Sequence, residues 1–209
     1  MLRSFVDERL LFGGVAVWLV FMLTASLIGQ PGYALWLVAV WTASLILGAR
    51  ARRAYRALRG EALVRFRTPD YWSNGFVLGA VTFWIFTAVA VPDLDGIRRS
   101  AIFLIGSVFY YSAGKFGCWR FGCCSHVRDS GDYLPKLPLI EATICAIGGG
   151  VAFVLTGLNH EVTAVLIAGA TYSGVRFLSL WRRREIWSGV AFIDLALSYG
   201  CLIYVAVQA

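Results

Sequence analysis

The run SAIFLIGSVFYYSAGKFG, residues 100–117, is apolar over the length of a membrane crossing and passes directly into CWRFGCCSHVR, residues 118–128. A helix needs roughly 17–25 mostly apolar residues to cross the hydrocarbon core. Lipid offers no partner for backbone N–H and C=O groups, so such a run must be helical. Six further runs of the same kind lie outward from it, at residues 10–29, 33–48, 75–91, 137–157, 162–181 and 186–207. The expected fold is therefore all-α: one integral membrane domain over residues 1–209, a polytopic bundle of about seven transmembrane helices.

Composition agrees with that reading. Apolar residues make up 59% of the chain and charged residues only 15%, with a mean hydropathy of +0.70. Soluble domains sit near roughly 45–50% apolar. The first run lacks a small-residue cleavage site, so it reads as a span and not as a removable signal peptide. Five cysteines without a pairing framework do not describe a secreted disulfide scaffold. The net charge of +7 is no sign of nucleic acid. Arginines beside membrane spans set topology and meet anionic headgroups.

The cations are unevenly placed. Arg98 and Arg99 lie together, and Arg176 falls within the sixth run. All other Lys and Arg residues lie on the opposite side from Arg98 and Arg99 if the chain crosses at every run. The positive-inside rule then expects a cytoplasmic N-terminus and a cysteine-rich stretch facing the cytoplasm. Gln30, Pro31 and Gly32 are expected to form a tight turn joining the first two spans. Residues 49–69 link the second and third spans. There Arg52, Arg56 and Arg59 alternate with Ala51, Tyr55, Leu58, Ala62 and Leu63, a pattern that suits either a helix lying in the interface or a topology-setting loop.

The chemistry is expected between residues 115 and 128. Three of the five cysteines, Cys118, Cys123 and Cys124, stand there with Lys115, Arg120, His126 and Arg128. Cations next to a thiol favour the thiolate, the form that acts as nucleophile. The same cations suit a phosphate-bearing group, which arginine grips through two parallel hydrogen bonds. Arg183, beyond the sixth run, joins this substrate-binding set. Two other readings of the cysteines remain open. They could be small buried side chains, or, with His126, a metal-binding or thiol-exchange set. The spacing departs from a paired C-x2-C, and no metal or cofactor is expected.

Ionisable groups inside apolar runs are costly and mark function by default. Here they are Glu141, Arg176 and Asp194. Either carboxylate could pair with Arg176, and a purely structural ion pair would explain them equally. Ser73, Asn74 and Gly75 open the third run, where the polar amide of Asn74 by itself reads as a helix N-cap. Cys145 and Cys201 read as packing, His160 as a solvated loop residue, and the tryptophans as an aromatic belt.

The order of these features resembles the prolipoprotein diacylglyceryl transferase family, seven-span bacterial enzymes that move a diacylglyceryl group from phosphatidylglycerol to a lipoprotein thiol. Gly114-Lys-Phe-Gly-Cys118 stands where that family has a glycine-arginine-x-glycine-asparagine signature. Gly117-Cys118 and Gly122-Cys123-Cys124 resemble a divergent Gly-Cys…Gly-Cys-Cys form of it. Leu137-Pro-Leu-Ile-Glu-Ala142 and Tyr172-Ser-Gly-Val-Arg176 resemble the family's fifth and sixth spans. Asn74 occupies the place of a family histidine, and Leu180 that of a glutamate. In the family the signature faces outward, opposite to the charge count here.

The resemblance implies a membrane transferase in a bacterial cytoplasmic membrane, with phospholipid as partner and an acceptor still to be identified. Cys118, Cys123, Cys124, Glu141, Arg176 and Asn74 would form the catalytic set. Glu141 would orient Arg176 or carry a proton. The alternative class is a membrane thiol-redox or metal-handling protein.

Overall fold

A computed structural model describes residues 2–58, 70–121, 136–182 and 189–208. They form seven helices: α1 (Leu2–Ile28), α2 (Pro31–Leu58), α3 (Asp70–Ala90), α4 (Gly96–Phe121), α5 (Leu137–Gly157), α6 (Glu161–Arg182) and α7 (Gly189–Gln208). The described residues contain no strand. The protein is an all-helical membrane bundle. Four of the helices, α2, α4, α5 and α6, are long and apolar enough to cross a membrane; α1, α3 and α7 contribute shorter apolar segments, Gly13–Ile28, Gly75–Ala90 and Phe192–Gln208.

Three connections are short for identifiable reasons. Gly29 takes the left-handed conformation, φ 71°, which its missing Cβ allows, and closes α1. Pro31 then starts α2 at the first helical position, where its missing N–H costs nothing. The turn is thus Gly29 and Gln30, one residue earlier than expected, with Gly32 already helical. Asn159, φ 63°, ends α5 in the same left-handed way, and the His160 amide reaches back to the Leu155 carbonyl at 2.9 Å. His160 is exposed, as a loop residue should be.

Between α3 and α4, Asp95 accepts the Arg98 amide at 2.8 Å and caps the start of α4. Arg99 Nη2 donates to the Pro92 carbonyl at 3.0 Å, covering the end of α3. Arg98 pairs with Glu161 at 3.3 Å, tying the starts of α4 and α6 together.

The residues between spans two and three depart from expectation. Residues 49–58 continue α2 without a break, so this half of the linker is not a separate helix laid in the interface. Residues 59–69 lie outside the described residues.

Helix α4 is the axis of the bundle. It packs against α1, α3, α5, α6 and α7, and the helices around it follow one another as an arc in the order α1, α2, α3, α7, α6, α5. Residues 101–105 of α4 are completely buried. That stretch is apolar on every side of the helix and needs enclosure, which its place inside the arc supplies.

The core centres on Trp41 of α2, packed 5.4 Å from Phe83, 5.7 Å from Phe103 and 5.7 Å edge-on from Tyr110, measured between ring centroids. Its indole enters because α4 has glycine at 106: a Cβ there would fall 2.4 Å from Trp41 Cη2. The Thr42 and Tyr110 hydroxyls are hydrogen-bonded beside it.

Candidate functional site

Five helices bring polar side chains to one end of the bundle: the starts of α3, α5 and α7 and the last turns of α4 and α6. In chain order these are Ser73 on α3, Tyr111 and Lys115 on α4, Glu141 on α5, Tyr172 and Arg176 on α6, and Asp194 on α7, all buried. From this end α4 hands over to residues 122–135 and α6 to residues 183–188.

Arg176 and Asp194 form the first half. Arg176 Nε and Nη2 donate to Asp194 Oδ2 at 3.0 and 2.8 Å. Ser73 Oγ accepts from Arg176 Nη2 at 2.5 Å and donates to the same Oδ2 at 2.8 Å. Tyr172 donates to the other oxygen, Oδ1, at 2.8 Å. Asp194 is fully buried, so each of these bonds replaces water that the carboxylate has lost.

Lys115 and Glu141 form the second half, 2.6 Å apart. Tyr111 donates to Glu141 Oε2 at 3.2 Å. The Tyr111 ring lies between the two cations, its centroid 5.1 Å from Lys115 Nζ and 5.5 Å from Arg176 Cζ. It also meets Tyr172 edge-on at 5.9 Å. The electron-rich ring face favours both cations and links the two halves.

The local sequence accounts for this geometry. Tyr111 stands four residues before Lys115, and Tyr172 four before Arg176. Each phenol therefore sits one turn above its cation on the same helix face. Phe76 of α3 stacks on Tyr172 at 4.9 Å and walls the site from the core. Neighbouring hydroxyls fix the helices: Ser112 donates to the Ala142 carbonyl at 2.8 Å, joining α4 to α5, and Ser173 to Ser198 at 3.0 Å, joining α6 to α7.

These contacts decide the pairing that the sequence left open. Arg176 pairs with Asp194, and Glu141 meets Lys115 and Tyr111. Asn74 is not the N-cap expected of it. Helix α3 begins at Asp70, and Ser73 lies inside it as a member of the ion-pair network.

Of the other expected site residues, Cys118 is half-buried on the last turn of α4, three residues beyond Lys115, and Arg120 is exposed. Asn74 lies in the first turns of α3, with its side chain outside the described set. Cys123, Cys124, His126, Arg128 and Arg183 lie outside the described residues. Among the described residues, no three His, Cys, Asp or Glu side chains are grouped to hold a metal ion. Cys145 is buried in the core, and Cys201 is half-buried against it.

Sequence reading passed over Ser73, Tyr111 and Tyr172 as site residues. The repeated tyrosine-x-x-x-cation spacing on α4 and α6 was the available signal for the two phenols. Ser73 carried none, because its partners stand 103 and 121 positions away along the chain.

Compared with known proteins, the chain matches no family model, no curated protein and no solved structure. Its fold and site define a polytopic helical membrane protein with two buried ion pairs at one end.

Proposed function

We propose that the chain is a membrane-embedded transferase of a bacterial cytoplasmic membrane. It moves a group from a phosphate-bearing, lipid-like donor to an acceptor, as the prolipoprotein diacylglyceryl transferases it resembles do. The N-terminus, and with it the ion-pair end, faces the cytoplasm. The observation that carries this reading is the convergence of Lys115–Glu141 and Arg176–Asp194 from four helices at the point where α4 runs into the cysteine-rich stretch. Such a concentration of charge inside a bundle is expensive for folding and typical of substrate sites.

In this scheme Cys118, Cys123 or Cys124 supplies a thiolate. Its sulfur forms a bond to the donor carbon while the bond from that carbon to the phosphate oxygen breaks. The electron pair leaves on the phosphate, whose charge Lys115, Arg120, Arg128 and Arg183 offset. The acceptor then displaces the group from sulfur, gives up its proton and regenerates the thiolate. Glu141, bound to Lys115 and Tyr111, takes that proton. Arg176 and Asp194 hold α3, α6 and α7 in register around the site.

The test uses the purified full chain with phosphatidylglycerol labelled in its diacylglyceryl part. Label should appear on protein, and single Cys→Ser changes at 118, 123 and 124 should identify the acceptor sulfur. Labelling retained in all three single variants and in their triple combination sinks the nucleophile. Stoichiometric zinc or copper, lost on the same substitutions, would instead favour the metal-handling reading.

A further inference from the structure

Buried hydroxyls in this bundle nearly always find a partner. Thr24, Ser44, Thr87, Ser107 and Thr156 donate to the carbonyl one turn back on their own helices. Ser73, Ser173 and Ser198 bond across to other groups or to a carbonyl. Ser179 of α6 does neither: it is 1% exposed, and its Oγ has no hydrogen-bond partner. A serine on a helix has its own carbonyl within reach, so a buried hydroxyl that forgoes that bond calls for a partner from elsewhere.

Other buried polar atoms without partners have different settings. Trp41 Nε1 is enclosed by Gly79 and Leu45 in the core. Arg99 Nε belongs to a guanidinium whose Nη2 is bonded, and Ser100 follows it at the far end of α4. Ser179 alone among them lies at the ion-pair end. It stands three residues beyond Arg176, on the neighbouring turn of the same helix face, and Leu180 packs on Leu195 beside it. One turn further on, α6 ends in exposed Arg182. The charged side chains that this end exposes among the described residues are Arg120, Lys136 and Arg182, all cations, and they suit an anionic ligand rich in acceptor oxygens.

We infer that Ser179 is a substrate-contacting residue whose Oγ–H donates to a phosphate oxygen of the ligand taken up at this end of the bundle. This rests on the transferase reading and adds to it a contact on α6. The ligand chemistry is a phosphate monoester or diester, carried either by a membrane lipid or by a free small molecule.

The experiment compares wild type, Ser179→Ala and Ser179→Thr as purified full chains in nanodiscs. The two probes are phosphatidylglycerol in the disc against a sugar-headgroup lipid background, and soluble glycerol phosphate. Binding and melting temperature are read together. Ser179→Ala should melt no lower than wild type, because it removes a buried hydroxyl without a partner, yet bind the recognised probe about tenfold more weakly. Ser179→Thr should retain binding. The probe that shows the loss identifies lipid or free phosphate as the source.

Equal binding by wild type and Ser179→Ala overturns the contact and leaves the transferase reading standing. A drop in melting temperature with unchanged binding also overturns it and assigns the hydroxyl to structure or to a bound water. Wild type that binds neither probe overturns the phosphate reading of the whole end.

Discussion

Asp194 Oδ2 receives both Arg176 Nε at 3.0 Å and Arg176 Nη2 at 2.8 Å, and neither residue is more than 2% exposed. The two residues sit on adjacent helices, and Ser73 of α3 completes the contact. A charge pair this enclosed holds together three elements whose apolar surfaces would tolerate other registers.

Breaking that pair from one side should be worse than removing it whole. Asp194→Leu or Arg176→Met alone leaves an uncompensated buried charge, expected to cost about 3–5 kcal/mol. The double substitution should recover much of that loss. Thermal or denaturant unfolding in detergent, arranged as a double-mutant cycle, measures it, and additive losses would contradict the pairing.

Lys115 and Glu141 should behave differently if the second pair belongs to the chemistry. Glu141→Gln keeps the side-chain shape and a hydrogen bond to Tyr111 while removing the proton acceptor. Labelling turnover is expected to fall by about 10²–10⁴-fold, the range for losing a positioned acid or base. The change also leaves buried Lys115 without its carboxylate, so stability should fall as for the first pair, and turnover is read per folded molecule. Unchanged turnover per folded molecule would make Glu141 a packing residue only.

Tyr111→Phe keeps the ring between the two cations and deletes only the hydroxyl bound to Glu141. The expected cost is about 1–3 kcal/mol from an acceptor left short of one bond in a dry site. Tyr111→Leu should cost more, because the ring face is lost as well. Melting temperatures of the two variants separate hydroxyl from ring.

Two glycines offer opposite outcomes for the same substitution. A Cβ at Gly106 would meet Trp41 Cη2 at 2.4 Å, whereas one at Gly150 would meet nothing within 4 Å. Gly106→Ala should lose about 1–3 kcal/mol by overpacking. Gly150→Ala should gain about 0.5–1 kcal/mol from helix propensity. Both are read from unfolding midpoints.

Orientation can be tested on intact cells with a membrane-impermeant thiol reagent. If the positive-inside rule holds, Cys123 and Cys124 should react only after the membrane is opened. Labelling in sealed cells would place the cysteine stretch outside, where the resembling family carries its signature.

The sequence by itself determined the seven helices of the described residues and that the chain lives in a membrane, and it located most connections, while α2 runs ten residues past its expected end at 48. Those features depend on local properties: run length, apolar content, and the glycine, proline and asparagine that close one helix and open the next. It also singled out Glu141, Arg176 and Asp194, because a charge in an apolar run is conspicuous in one dimension. Only the tertiary structure decided that α4 is the enclosed helix, that Arg176 belongs to Asp194 and Lys115 to Glu141, and that Ser73, Tyr111 and Tyr172 complete the site. Partner choice is a question of which helix faces meet, and several arrangements of seven apolar helices satisfy the same hydropathy pattern. The packing of Trp41 against Gly79 and Gly106, with five helix ends meeting at one place, selects among them.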